Sequence, residues 1–206
     1  DNSFRPGYVL GNDELINRGM VIGLIYSESN IGASFYSGFV GKKKAGIITA
    51  SEGRLLKEID GRPAQDVYRE WADGHFDDID TSTKNVLVMK SATCPLAKAI
   101  HLANGKLRYI PVRPQRFNMD GSLSMGGDVT LGDTIYYVEG NKEALRRRAA
   151  AVARDAMVNG KIKVKKVAGG LHIYCAGAAK TIGLEADGET ARMVGEMKKA
   201  MRDKPF

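Results

Sequence analysis

The first part of the chain alternates apolar runs with glycine-rich breaks, which is typical of strands joined by turns. Residues 21–26 form an apolar run with glycines around it and predict a buried strand. Residues 47–50 and Leu55–Ile59 predict two further strands. The Ser-Glu-Gly-Arg sequence between them suits a hairpin turn, because Gly53 adopts positive φ without steric cost. The pattern therefore predicts a strand followed by a β-hairpin.

A helix is predicted directly after this hairpin. Pro63 suits the first turn of a helix, where its missing N–H is not needed. The apolar residues that follow have the spacing i, i+3, i+4 and i+7, and they are Ala64, Val67, Tyr68 and Trp71. We expect these four side chains to form one buried helix face that ends near Gly74.

The middle of the chain predicts short elements separated by turns. Strands are predicted at residues 85–89, 107–113 and 134–138, and a short helix from Pro95 to residue 103. Asp120-Gly121 is a turn signal. The aspartates of the polar connection 75–84 lack the glycine and distal glutamate of a calcium loop, so calcium is not expected there.

The last third predicts two helices around extended segments. Asn141 suits an N-cap, and the apolar positions that follow it at helical spacing are Leu145, Ala149, Val152 and Ala156. Residues 161–167 alternate lysine with apolar residues, which favours an edge strand over a nucleic-acid contact. Residues 170–175 predict a central strand. Asp187 is the expected cap of a last helix with Ala191, Val194, Met197 and Met201 on its buried side.

Hairpins separated by helices predict an α+β fold, with a mixed, largely antiparallel sheet and helices packed on it. The 206 residues are 43% hydrophobic and 27% charged, as in globular proteins. No apolar stretch approaches the ~20 residues of a membrane span, so we expect a soluble, cytoplasmic protein with no membrane partner. The net charge of +7 permits a nucleic-acid partner, but the basic residues are scattered with no aromatic row beside them, which argues against one.

No phosphate-binding, nucleophile-elbow or zinc motif is present, so we expect no cofactor, no metal and no catalytic residue. Two cysteine–histidine pairs are candidates for a catalytic dyad. His101 lies two helical turns from Cys94 in the predicted helix, roughly 10 Å away and too far for a hydrogen bond. His172 and Cys175 would point to opposite faces of their predicted strand. The sequence therefore predicts a non-enzymatic protein.

Arg113 is the best candidate for binding. It ends a hydrophobic strand beside Pro114, where its planar fork could bind a carboxylate or phosphate. A surface position or a structural ion pair is the alternative.

Three segments together resemble the FIST family, whose name we expand as F-box and intracellular signal transduction. They are LKEIDGRPAQDVY at 56–68, YIPVRP at 109–114 with DGSL at 120–123, and GLHIYCAG at 170–177. The resemblance covers roughly residues 50 to 190, and the start of the chain is similar to the end of the family's N-terminal part. It implies two parts: 1–60 as the end of a FIST N-terminal-like part, and 61–206 as a FIST C-terminal-like domain that lacks its last strand.

The resemblance implies a sensory module that binds a small anionic or amino-acid-like ligand and contacts a signalling or scaffold protein. It places the pocket near the ends of the segments 107–113 and 170–175. We accordingly expect the ligand to contact Arg113, Pro114, Cys175 and Gly177. The family often has arginine where this chain has Ala178, which favours a second interpretation. In that interpretation, the protein is a structural or adaptor protein that keeps the fold without binding a ligand.

Overall fold

The computed structural model describes residues 9–11, 13–17, 19–79, 86–102, 105, 107–183 and 188–206. The chain divides into two compact units, residues 1–31 and 32–206. Asp187 and residues 80–84, which carried predictions, lie outside the described residues.

The first unit contains a two-stranded antiparallel hairpin of β1 (Val9–Gly11) and β2 (Glu14–Ile16). Residues 21–26 form no strand, and their side chains are exposed, with Ile22 at 75% and Tyr26 at 88%. The prediction of a buried strand here is wrong. An apolar run becomes a buried strand only where another element covers it, and neither strand of this hairpin pairs with it.

The second unit is built on an eight-stranded sheet. Its strands are β3 (Val40–Glu52), β4 (Leu55–Ile59), β5 (Arg62–Pro63), β6 (Leu96–His101), β7 (Leu107–Val112), β8 (Pro114–Phe117), β9 (Leu123–Met125) and β10 (Thr134–Glu139). The helices are α1 (Ala64–Trp71), α2 (Val86–Lys90), α3 (Lys142–Asn159), α4 (Ala176–Ile182) and α5 (Glu189–Met201), with a 3-10 helix at Val164–Lys166. The predicted α+β class with a largely antiparallel sheet is confirmed.

The sheet curves until its two ends meet. The hydrogen-bonded order is β7-β6-β10-β3-β4-β9-β8, with β5 added to β4. The strands at the two ends of this order, β7 and β8, are consecutive in the chain and are separated only by Arg113. Since consecutive Cα atoms lie about 3.8 Å apart, the two edges must come together at this residue. Arg113 therefore lies at the seam of a nearly closed barrel.

The hairpin and the first helix form as the sequence predicts. β3 pairs with β4 around a turn in which Gly53 has φ of +56°. Pro63 is the N-cap of α1. Ala64, Val67 and Tyr68 are buried and Trp71 packs on the same core, so the predicted helix face is confirmed.

Two local predictions in the middle of the chain are wrong. Residues 86–89, predicted as part of a strand, belong to helix α2, and residues 96–101, predicted as part of a helix, form the strand β6. β6 pairs with β7 along its whole length and with β10 at Leu96 and Ala97. The hydrogen bonds and burial of a central strand outweigh weak helix signals in six residues.

The C-terminal region is more helical than predicted. Asn141 caps α3 as expected, its Oδ1 accepting from the Ala144 N–H at 2.8 Å. Residues 161–167 are a turn and a 3-10 helix rather than an edge strand, and residues 170–175 are extended but belong to no sheet. In α5, Met197 and Met201 are buried as expected, but Ala191 is exposed and Val194 is only half-buried.

The sheet encloses an aromatic core centred on Tyr68. Its ring centroid lies 4.7 Å from that of Phe76 and 6.3 Å from those of Phe117 and Tyr137. The hydroxyl donates a hydrogen bond of 2.8 Å to the carbonyl oxygen of Cys94. This one side chain thus joins α1 to the residues that precede β6.

Within the described residues, no helix combines the length and the apolar character needed to cross a bilayer.

Replacing Tyr68 with alanine is expected to lower the free energy of unfolding by about 3–5 kcal/mol, because it empties a fully buried site. The matched control is Tyr26→Ala, at a side chain that is 88% exposed, and it should change stability by less than about 0.5 kcal/mol. Urea unfolding of both variants measures the difference. Equal losses in the two variants would contradict the central place of Tyr68.

Candidate functional site

Arg113 is half-buried where the two edges of the sheet meet. Its carbonyl oxygen accepts from the Gly126 N–H at 2.8 Å, which fixes the backbone at the seam. Its guanidinium has no hydrogen bond or ion pair with any residue that the structure describes. Burial lowers the pKa of Arg113, and the nearby charge of Arg148 lowers it further. The predicted site residue is therefore a cation that is partly removed from water, with no carboxylate partner among the described residues.

Arg148 is a second candidate, and its charge acts on Arg113. It lies on α3, three residues after the fully buried Leu145, and is only 9% exposed. Its Nη1 donates to the carbonyl oxygen of Ser37 at 2.9 Å, and its guanidinium carbon lies 4.2 Å from the ring centroid of Tyr174. No carboxylate among the described residues pairs with it. A buried charge without a counter-ion is costly, so this position favours an anion from outside.

The extended segment 170–175 contributes further side chains to the candidate site. Its side chains alternate, as they do in any extended chain. Leu171 and Ile173 are exposed at 85% and 87%, whereas His172 and Tyr174 are half-buried. The Tyr174 hydroxyl donates to the carbonyl oxygen of Leu145 at 2.7 Å, which anchors the segment on α3. The strand predicted for this segment is thus absent.

His172 has an unsatisfied nitrogen within this cluster. Its ring centroid lies 6.0 Å from that of Tyr174, and its Nε2 is buried with no hydrogen-bond partner among the described residues. Burial lowers the pKa of His172, and the charge of Arg148 adds to the effect. The imidazole is accordingly neutral at pH 7 and has one nitrogen available for a ligand.

The other predicted site residues have different surroundings. Cys175 follows Tyr174, is exposed, forms no disulfide, and acts electrostatically on both Arg113 and Tyr174. Pro114 is buried at the start of β8, and its carbonyl oxygen accepts from Ser91 Oγ at 2.9 Å, which is a structural role. Gly177 lies in the first turn of α4. Ligand contacts of Arg113, Pro114, Cys175 and Gly177 all stay predictions.

We define the cationic cluster as Arg113, Arg148, His172 and Tyr174. The sequence pointed to Arg113 alone, and considered His172 only as a partner for Cys175. Two signals could have found the others. Position 148 follows Leu145 by three, which places it beside the buried face of the helix. His172 and Tyr174 are two apart, so they share one face of an extended segment.

A separate polar cavity of about 210 Å³ contains the other cysteine. It is lined by Ala72, His75, Thr93, Cys94, Tyr137, Glu139 and Gly140. Cys94 Sγ lies 3.6 Å from the carbonyl oxygen of Lys90, and His75 Nε2 lies 3.1 Å from the same oxygen. Burial raises the pKa of the Cys94 thiol, so it stays protonated at neutral pH.

The helix predicted from Pro95, directly after Cys94, is wrong, because a strand follows Cys94. No helix dipole therefore lowers its pKa. In the described parts of the chain, no group of three or more histidine, cysteine, aspartate or glutamate side chains is arranged to hold a metal ion.

Comparison with known families matches almost the whole chain to two domain models. The FIST N domain matches residues 1–62, and the FIST C domain matches residues 64–205. The expansion of the family name through the F-box is wrong. Searches of curated proteins and of solved structures found no match. The two domain matches place the chain in the FIST family, as the three sequence segments indicate.

Proposed function

We propose that this chain is a non-enzymatic sensory module that binds a small anion at the cationic cluster. FIST domains belong to signal-transduction proteins and suggest a sensory role. The observation that carries the ligand proposal is Arg148, a guanidinium that is only 9% exposed and has no carboxylate partner among the described residues. An anion that pairs with Arg148 would remove the cost of this buried charge.

Arg113 is the more exposed of the two arginines in the proposed site. Its guanidinium is half-buried and unpaired within the described structure, so it can pair with an incoming anion without breaking an existing bond. It is fixed at the seam of the sheet, where β7 and β8 hold its backbone on both sides. A ligand that bridges the guanidinium of Arg113 and the side chains on α3 and segment 170–175 would link the sheet to the helical part of the unit. Such a link is what a sensor needs in order to convert binding into a structural change.

Cysteine catalysis has little support from the geometry. A nucleophilic cysteine needs a thiolate with a base in reach. The thiol of Cys94 is buried with a raised pKa, and its hydrogen bond goes to a backbone oxygen.

A second candidate function is an adaptor without a ligand. It is favoured by the exposed apolar side chains of Leu171 and Ile173, which a signalling or scaffold protein could cover. The two functions differ in what Arg113 does, since an adaptor does not need an unpaired arginine at the seam.

Arg113→Gln is expected to abolish anion binding without unfolding the protein, because its guanidinium has no hydrogen bond or ion pair among the described residues. Thermal unfolding is followed with acetate, succinate and inorganic phosphate. A ligand at 100 times its Kd stabilises by about 2.7 kcal/mol. That corresponds to a rise in Tm of roughly 5–10 °C for a domain of this size.

The control is Arg116→Gln, at an exposed arginine on β8. It should keep the rise in Tm. If none of the three anions stabilises the wild-type chain, the adaptor function is the better account.

Anion binding is expected to strengthen as the pH falls below the ordinary histidine pKa of 6.5. His172 is neutral in the free protein because burial and Arg148 lower its pKa. A bound anion favours the imidazolium, so its pKa is higher in the complex and binding takes up a proton. The affinity therefore rises as pH falls through the pKa of the complex, and levels off below that of the free protein.

Calorimetric titration with succinate between pH 5.5 and 8 measures this dependence. His172→Gln should flatten it and His101→Gln, at an exposed side chain, should not. An unchanged dependence in His172→Gln would exclude His172 from the site.

A further inference from the structure

The lysine-rich segment 161–167 carries more charge than its role in the fold explains. Its alternation of lysine with apolar residues predicted an edge strand, in which exposed lysines prevent pairing with other strands. The structure has a turn and a 3-10 helix there, so this segment presents no strand edge that needs protection. The negative end of the α3 dipole attracts cations, but it amounts to only about half an elementary charge. The segment contains four lysines, which is far more than the helix end requires.

Two backbone hydrogen bonds after α3 fix the course of this segment. The Lys161 N–H donates to the Val158 carbonyl oxygen at 3.0 Å, and the Ile162 N–H donates to the Met157 carbonyl oxygen at 2.8 Å. Together they form a Schellman motif, in which the residue at the position of Lys161 has positive φ and is usually glycine. Lys161 has φ of +53°, which carries a steric cost for a residue with a side chain. A lysine kept at such a position suggests a function for its side chain.

An open apolar groove of about 360 Å³ lies between the last turns of α3 and the residues after this motif. Its floor is aliphatic and consists of the half-buried side chains of Met157, Ile162 and Val164. Val158 also lines the groove and is 67% exposed. Every charged side chain in the described lining is an exposed cation, and these are Arg154, Lys161 and Lys163. The groove thus joins an apolar floor to a positively charged rim.

We propose that this groove is a docking site for an acidic, amphipathic peptide segment of a partner protein. The apolar side chains of such a segment would be removed from water on the aliphatic floor. Its carboxylates would pair with the guanidinium and ammonium groups of the rim. The groove shares no residue with the cationic cluster, so this inference is independent of the anion site.

A peptide fits the groove better than a nucleic acid or a membrane surface does. Nucleic-acid bases are held largely by stacking on aromatic side chains, and this floor is aliphatic. Clusters of lysine and arginine do attract anionic lipids. A flat lipid surface, however, reaches protruding side chains, whereas Met157, Ile162 and Val164 are half-buried. The projecting side chains of a peptide can enter a groove and contact its floor.

Binding is measured by fluorescence anisotropy on the 206-residue chain, with a short labelled peptide that has leucines on one face and glutamates on the other. One control peptide has lysine in place of each glutamate, and a second has serine in place of each leucine. We expect the acidic leucine peptide to bind at least about tenfold more tightly than either control. Its binding should weaken as salt is added, because salt screens exposed charges.

Lys161→Gly removes one rim charge and keeps the Schellman motif, because glycine is the usual residue there. Combined with Lys163→Gln, it is expected to weaken peptide binding by at least about tenfold without lowering the Tm. Val158→Ser should weaken binding by at least about threefold, through the apolar contact. The matched control is Lys142→Gln, at an exposed lysine at the start of the same helix, and it should leave binding unchanged. If the double variant does not fold, Lys163→Gln alone replaces it, with an expected loss of at least about threefold.

Vesicles of phosphatidylserine and phosphatidylcholine test the membrane alternative. Vesicle binding that the double variant loses, without binding of the acidic peptide, would overturn the proposal in favour of a lipid surface. Equal binding of the lysine peptide, no binding of the acidic peptide, or unchanged binding in the folded double variant would each overturn it too. None of these outcomes bears on anion binding at the cationic cluster, which Arg113→Gln tests separately.

Discussion

The arrangement of the second unit depends on the burial of Tyr68 inside a curved sheet. Its ring packs against Phe76, Phe117 and Tyr137, and its hydroxyl is satisfied by the Cys94 carbonyl oxygen. A flat sheet would leave one face of this aromatic group in water. Enclosing it requires the strands to curl until β7 and β8 meet, and this places Arg113 at the seam. The position of the candidate ligand residue is thus a consequence of how the core is covered.

The electrostatics of the site follow from the same geometry. Closing the sheet removes part of the Arg113 guanidinium from water, and packing α3 against its neighbours nearly buries Arg148. Each step would be unfavourable for a charge with no partner, since burial penalises the charged form. Tyr174 offsets part of this cost with the face of its ring. The remainder is the physical reason to expect an anion at the cationic cluster, and it links the fold to the proposed sensory role.

The sequence correctly predicted those elements whose hydrophobic pattern matches the side that the fold buries. The hairpin of β3 and β4 and the helix α1 formed as expected, because turn chemistry and helical spacing agree with the core they face. β6 was missed because its pairing with β7 and β10 overrides the weak helix signal after Pro95. Arg113 could be found from its place at a strand end, whereas the spacing of Arg148 from Leu145 is a weaker signal. Arg148 is the last of three consecutive arginines, a pattern that is typical of a solvent-exposed helix face. Only tertiary packing shows that this part of α3 is covered.

The most direct test of this account is an experimental structure of the chain crystallised with succinate or inorganic phosphate. The account predicts an oxyanion within hydrogen-bond distance of the guanidinium groups of both Arg113 and Arg148, with His172 Nε2 bonded to the ligand. A carboxylate of the chain itself paired with Arg148, with no anion at Arg113, would contradict it.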